Sequence, residues 1–247
     1  MRAEATLQRL KASSEGRLPP SYGVYFKNTL VALCHALEDH ILQTDRGGNA
    51  SKPLVLVTFQ RGKWYLQEAD RYADIARASG HVAIAAVTDS GFNTHPTGAL
   101  DNVSLIDIDP EDSLVEEWNL IILSPDYASM VLCHELSAEE YRADSQPRVD
   151  IERKFYGLWT FDRELVEKSA RILIDRLRPY NQALADILHR QEEAIAGNIN
   201  PIPTDLSGVV TRIVTYLQTS QQQLVTVSRQ TRELSDLEGQ ASRVNKN

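Results

Sequence analysis

The stretch KPLVLVTFQRGKWYLQEADRYADIARASGHVAIAAVTDS, Lys52–Ser90, decides the fold. Leu54–Phe59 follows a proline and is a short apolar run rich in Val and Leu, which reads as a buried strand. Tyr65–Ser79 carries apolar residues at Ala69, Tyr72, Ala73 and Ala76, the three-and-four spacing that gives a helix one buried face. Val82–Val87 is a second apolar run of strand length. Strand, helix, strand in this rhythm is a βαβ crossover, whose right-handed geometry lays the two strands parallel in one sheet. The expectation is an α/β fold: a mixed, mostly parallel central sheet with a hairpin, flanked by helices, plus C-terminal helices.

Upstream, residues 1–21 hold only a weak amphipathic segment at Leu7 and Leu10, ended by Ser13, Ser14, Gly16 and Pro19-Pro20, and read as an N-terminal arm. From Tyr25 to Leu42 the positions Phe26, Leu30, Leu33, Leu37 and Ile41 mark a helix with a continuous buried stripe, closed by a connection through Gly47-Gly48. Downstream, Gly91–Asn102 reads as a loop and Val103–Ile108 as a half-buried strand. Asp109-Pro110-Glu111-Asp112 supplies the chemistry of a short turn through Leu114, Val115 and Trp118. Asn119–Leu123 and Met130–His134 are strands separated by a gap too short for a crossover, hence an antiparallel hairpin. After a polar loop, Phe155–Phe161 reads as a strand. Asp162 then caps a helix carrying Val166, Ala170, Leu173 and Leu177 on one face, ended or kinked at Pro179.

The last third changes character. Gln182–Ala196 is a polar helix, GNINPIP (197–203) is a breaker, and Leu206, Val210, Ile213, Leu217, Ser220, Leu224, Val227, Thr231 and Leu234 alternate spacings of four and three. This is a heptad seam weakened by Ser220 and Thr231. It reads either as an amphipathic helix folded back on the domain or as a surface for pairing with another chain. The expected division is an arm over 1–21, an α/β domain over 22–180, a helical extension over 181–238 and a flexible tail over 239–247.

Composition bounds the function. The 247 residues are 42% hydrophobic, enough for a sizeable core, and the formal charge of −8 argues against broad binding to a nucleic-acid backbone. The two cysteines, Cys34 and Cys133, lie far apart in apolar surroundings, which suits a reducing compartment. No apolar run reaches the roughly 20 residues needed to cross a bilayer. A cytoplasmic protein is expected.

No P-loop or dinucleotide glycine pattern, HExxH, CxxC or GxSxG is present. His35 and His40 are five apart, wrong for a metal clamp on one helical face, so no metal is expected and no cofactor is assigned. Three constellations remain. Gln60, Arg61, Trp64, Glu68 and Arg71 sit at the carboxyl end of a strand and the start of its helix, where open α/β sheets bind ligands. There an arginine holds an anion and Trp64 stacks on a ring, or the same residues form a salt-bridged helix start with an aromatic lid. Cys133 and His134 have the pairing seen at covalent bilin attachment sites, although strand alternation points them to opposite faces, and a buried structural cysteine is the plainer reading. Trp159 and Asp162 lie near the end of the last strand, Trp159 sharing a face with Phe161 and Asp162 capping the following helix. Nothing local joins a nucleophile to a base, so no enzymatic activity is expected.

The runs PLVLVTFQRGKWYLQEADRYADIA, EEWNLIILSPDYASMVLCHE and KFYGLWTFDRELVEKSARIL together resemble the DICT sensory domain, over roughly residues 20–180. The most specific parts are Thr58–Gln60, Glu68–Tyr72 and Gly157–Asp162. The resemblance implies an α/β sensory input domain found mainly in cyanobacteria, linked to light signalling through the domains it accompanies, with no ligand or catalytic residue to carry over. No cyclase, kinase or DNA-binding domain follows residue 180, so output is expected in trans or through the helical tail, by way of a protein partner or a homodimer. A receptor for a small ligand or chromophore and an enzyme of unknown reaction are the alternatives.

Overall fold

The computed structural model describes residues 4–15, 17–43, 52–141, 146–199 and 206–244, with side chains of the last helix described through 223 and at 225 and 226. Among them, seven strands form one sheet: β1 (Gly23–Phe26), β2 (Leu54–Arg61), β3 (His81–Val87), β4 (Val103–Asp107), β5 (Glu117–Leu123), β6 (Ala128–Glu135) and β7 (Lys154–Thr160). The helices are α1 (Thr6–Ser13), α2 (Lys27–Gln43), α3 (Gly62–Leu66), α4 (Ala69–Ala78), α5 (Arg163–Leu177), α6 (Gln182–Ala196) and α7 (Ser207–Val244).

The sheet runs β1-β7-β6-β5-β2-β3-β4. It is mixed, but the balance differs from the mostly parallel sheet expected: β2–β3 and β3–β4 are parallel, whereas the other four pairings are antiparallel. The crossover through α3 and α4 forces the first parallel pair. The β5–β6 hairpin, closed by Ser124 N donating to Tyr127 O at 2.8 Å, brings β5 back antiparallel to β2. The segment Gly91–Asn102 is a second crossover built from two short 3-10 turns, with Phe92 and Thr97 buried.

Helices cover both faces, which is why the central strands read as unbroken apolar runs. Alternation divides them: Val55, Val57, Leu120 and Ile122 face the core beneath α2, α4 and α7, while Leu54, Leu56, Ile121 and Leu123 face the core beneath α1, α5 and α6. Gly157 lets β7 lie close to β6, since a Cβ there would sit 2.1 Å from the Leu132 carbonyl oxygen.

Two local expectations change, and between the two readings of the last helix the fold-back on the domain is observed for its first turns. The stretch read as an arm carries α1, whose Leu7 and Leu10 are buried against α5, contributing roughly 3–6 kcal/mol before ordering costs. Tyr25 and Phe26 belong to β1 rather than to a helix, because β7 supplies an antiparallel partner and Phe26 stays half exposed instead of joining the buried stripe of α2. Finally, α7 packs its first turns on α2 of its own domain. Val209 and Ile213 are buried there, and Leu206, Tyr216 and Leu217 pack beside them. Of the heptad seam, Val210 remains exposed, and the side chains of Leu224, Val227 and Leu234 lie outside the described residues.

Candidate functional site

The carboxyl end of β2 opens a cavity. After the apolar core of the strand, its pairing with β3 shifts register between Thr58 and Arg61. An irregularity of this kind re-aims side chains, and Thr58, Phe59 and Gln60 all reach one space of about 90 Å³. That volume suits a few waters or one small organic molecule. Across it stand Val31, Cys34, His35 and Glu38 of α2, with Trp118 and Leu120 of β5 behind. Trp64, Glu68 and Tyr72 close it from the α3–α4 side, and Lys27 and Arg153 stand at its edge. Gly62 permits the tight entry into α3, because a Cβ there would lie 2.4 Å from Phe92 Cβ and 2.8 Å from Asp89 O.

The floor is aromatic and soft. Phe59 meets Tyr72 edge-on at 5.4 Å, Trp118 meets Phe155 at 5.4 Å, and Trp118 Nε1 donates to Cys34 Sγ at 3.3 Å. Burial raises the Cys34 thiol well above its ordinary pKa, reinforced by nearby Glu38, so the sulfur is held as a thiol and not as the nucleophilic thiolate.

Two polar clusters bound this floor. In the first, Arg71 Nε donates to Glu38 Oε2 at 2.5 Å, and Arg71 Nη2 donates to Asp39 Oδ1 at 2.7 Å and to the His35 carbonyl at 2.8 Å. Tyr72 OH donates to the other Glu38 oxygen at 2.7 Å. Burial raises the Glu38 carboxyl above its ordinary pKa, with the Arg71 guanidinium working against the rise. His35 Nε2 lies 3.2 Å from Glu68 Oε2. Burial disfavours protonated His35, but the bond to Glu68 and the field of Glu38 outweigh it, and its pKa is raised. In the second cluster Arg153 Nε donates to Glu135 Oε1 at 2.6 Å, and Arg153 also bonds Gln60 and Asp150. Gln60 Nε2 donates to Glu135 Oε2 at 2.8 Å. Lys27 pairs with Asp150, and its ammonium lies 4.1 Å from the centre of the Trp64 ring.

Of the residues named from sequence, Gln60, Trp64 and Glu68 line this cavity. Arg71 stands one layer behind, engaged by Glu38 and Asp39. Arg61 lies in a neighbouring surface cleft that shares Gln60, Trp64 and Arg153 with the cavity, and it pairs with Asp89 at 3.1 Å. Trp159 packs edge-on against Phe161 at 5.9 Å, and Asp162 caps α5 by accepting from Leu165 N at 3.2 Å, so neither joins the site. Cys133 and His134 part to opposite faces. Cys133 is buried in the core beneath α2, its thiol pKa raised by burial, whereas His134 stacks on Tyr156 and pairs with Glu116 at 3.4 Å. The sequence reading missed Lys27, Cys34, His35, Glu38, Trp118 and Arg153. The available signal was on α2, where Cys34 and Glu38, four residues apart, run alongside the leucine stripe on the same helical face. Among the described residues no three His, Cys, Asp or Glu side chains gather as a metal site would need.

The family model for the sensory domain in diguanylate cyclases and two-component systems, DICT, matches residues 4–136. That match starts within the stretch read as an arm and spans β2, the cavity's α2 wall and the β5–β6 hairpin. A second family model, described as the C-terminal domain of a two-partite extracellular sensor domain, matches residues 149–226, which include β7 and the α7 turns packed on α2. No curated protein and no solved structure matches the chain. No helix among the described residues is long and apolar enough to cross a membrane.

Proposed function

This chain belongs to the DICT family of sensory domains, and we propose that it is a non-catalytic sensory module in which a small ligand held in the β2 cavity is read out through α7. The output is a contact with a protein partner or with a second copy of the chain. One observation carries the reading: the cavity wall and α7 share a single polar network. Tyr216 OH on α7 donates to Asp39 Oδ2 at 2.7 Å, Asp39 shares Arg71 with Glu38, and Glu38 lines the cavity. The ring of His35 meets Tyr216 edge-on at 5.8 Å, and Asn28 Nδ2 donates to Ser220 Oγ at 3.1 Å one turn further on. Lys27, Val31 and His35 face both the cavity and the groove between α2 and α7, so α2 is their common wall.

A ligand moves an equilibrium only by the difference in its affinity for the two states. Reorganising one hydrogen bond in this network, worth about 1 kcal/mol, changes the population of a displaced α7 about fivefold. The chemistry of the cavity supports a binding role over a catalytic one. Cys34 is held as a thiol and accepts from Trp118, while His35 Nε2 is engaged by Glu68, and among the described residues no base is hydrogen-bonded to the Cys34 sulfur. Light- or redox-linked control enters this reading through the identity of the ligand.

Filling the cavity tests it. Cys34→Met adds volume in the floor, and hydrogen exchange is then followed along the chain. Amides of 207–223 are expected to change protection about fivefold or more, with those of α6 on the opposite face unchanged. Unaltered exchange in α7, in a variant with native circular dichroism, would sink the proposal.

A further inference from the structure

Resting on the ligand-cavity reading above, we propose that the cavity selects small organic cations, aromatic amines in particular, over anions of the same shape. Lys27 and Arg153 line the cavity together with Glu38 and Glu68, while Arg71, Asp39, Glu135 and Asp150 stand behind them. The lining charges balance in number, so the preference is set by which of them is free to bond.

Hydrogen bonding makes that distinction. Each cation already has a carboxylate partner: Arg153 has Glu135 and Asp150, Arg71 has Glu38 and Asp39, and Lys27 has Asp150. An incoming anion has to compete with that partner for the cation. The acceptor side is open. Glu68 meets His35 through Oε2, and Oε1 has no partner among the described residues, although its side chain lines the cavity and is one-third exposed. The walls add to the preference, since the faces of Phe59, Tyr72, Trp64 and Trp118 are electron-rich and attract positive charge. Trp64 already does so: the ammonium groups of Lys27 and Lys63 lie 4.1 and 4.6 Å from its ring centre. A planar ring against Trp118 and Phe59 with a protonated amine directed to Glu68 satisfies every one of these features.

The test uses three probes that share a phenyl ring and differ in charge: 2-phenylethylamine, 2-phenylethanol and phenylacetate, each titrated calorimetrically into the full chain. The amine is expected to bind about tenfold more tightly than phenylacetate, with the alcohol between them. Glu68→Gln should lower the amine's affinity about five- to tenfold and leave the alcohol unchanged. Phenylacetate binding as tightly as the amine, or Glu68→Gln without effect on it, overturns the charge preference while the cavity reading stands. Failure of all three probes to bind overturns both. Loss of amine binding in Cys34→Met, without loss of fold, would place the binding in the cavity; amine binding unaffected by that variant would overturn the assignment.

Discussion

The two faces of the sheet each place an arginine between two carboxylates, and the contrast between them separates a staple from a relay. Beneath α5, Arg176 has a side chain only 1% exposed and binds Glu117, Asp112, Thr6 Oγ1 and Ser113 Oγ. Glu117 in turn accepts from the Thr6 amide at 3.1 Å and from Asn119 Nδ2 at 2.8 Å, so α1, β5 and α5 are locked by a network whose carboxylate and guanidinium are both satisfied. Beneath α2, Arg71 is 20% exposed and binds Glu38 and Asp39, but Glu38 borders a cavity and Asp39 is shared with Tyr216 of a surface helix. Chemistry alike in kind is static where every neighbour is close-packed. It is able to reorganise where one side borders a cavity and the other is a helix at the surface.

The largest expected effect tests the staple. Arg176→Met strands Glu117 without a counter-charge and should cost about 4 kcal/mol in denaturant unfolding, whereas Arg71→Met, whose carboxylates keep the hydroxyls of Tyr72 and Tyr216 as donors, should cost about 2 kcal/mol. Equal losses would erase the contrast. A smaller effect sharpens it: Tyr216→Phe should cost only about 1 kcal/mol yet raise amide exchange across the first turns of α7, leaving α1 and α5 as protected as before. Uniform exchange changes over both faces would mean that the two networks are one.

The smallest effect is in pH. The folded pKa of His35 is raised through Glu68 and Glu38 against the opposing pull of burial. A group whose pKa is raised on folding contributes stability that is fully present below its unfolded value, near 6.5, and is lost as pH rises through the folded value. The gap in urea midpoint between the native chain and His35→Gln should therefore be widest below that value, equivalent to about 0.5 kcal/mol, and should close as the solution becomes alkaline. A gap that widens with pH would reverse the assignment. Burial raises the Glu38 carboxyl as well, so these two groups both favour the folded state toward acid.

The parts of the fold legible in the sequence are those whose periodicity is complete within one segment. Leu54–Phe59 and Val82–Val87 are apolar on both sides because helices cover both faces of the sheet, and the stripe of α2 from Leu30 to Ile41 repeats without interruption. β1 escaped notice because four residues hold too little alternation to distinguish from a helix start, and its strand character comes from β7 across the fold. Gln60, Trp64 and Glu68 were within reach because a strand end followed by a helix is a known place for ligands. Trp118, Arg153 and Lys27 were not, since each reads locally as a core aromatic or a surface charge and acquires its position only when β5, β7 and α2 converge.

From its own residues, then, the chain determined an α/β class, a βαβ unit, a hairpin, a helical extension and a likeness to DICT sensory domains, because hydrophobic spacing and short motifs are local properties. Tertiary structure alone decided the antiparallel balance of the sheet, the docking of α1, the seating of α7 on α2, and the cavity that joins β2, β5 and α2. Those depend on which distant segments meet, and the free energy that selects their meeting, burial of apolar surface, has no direction along the chain.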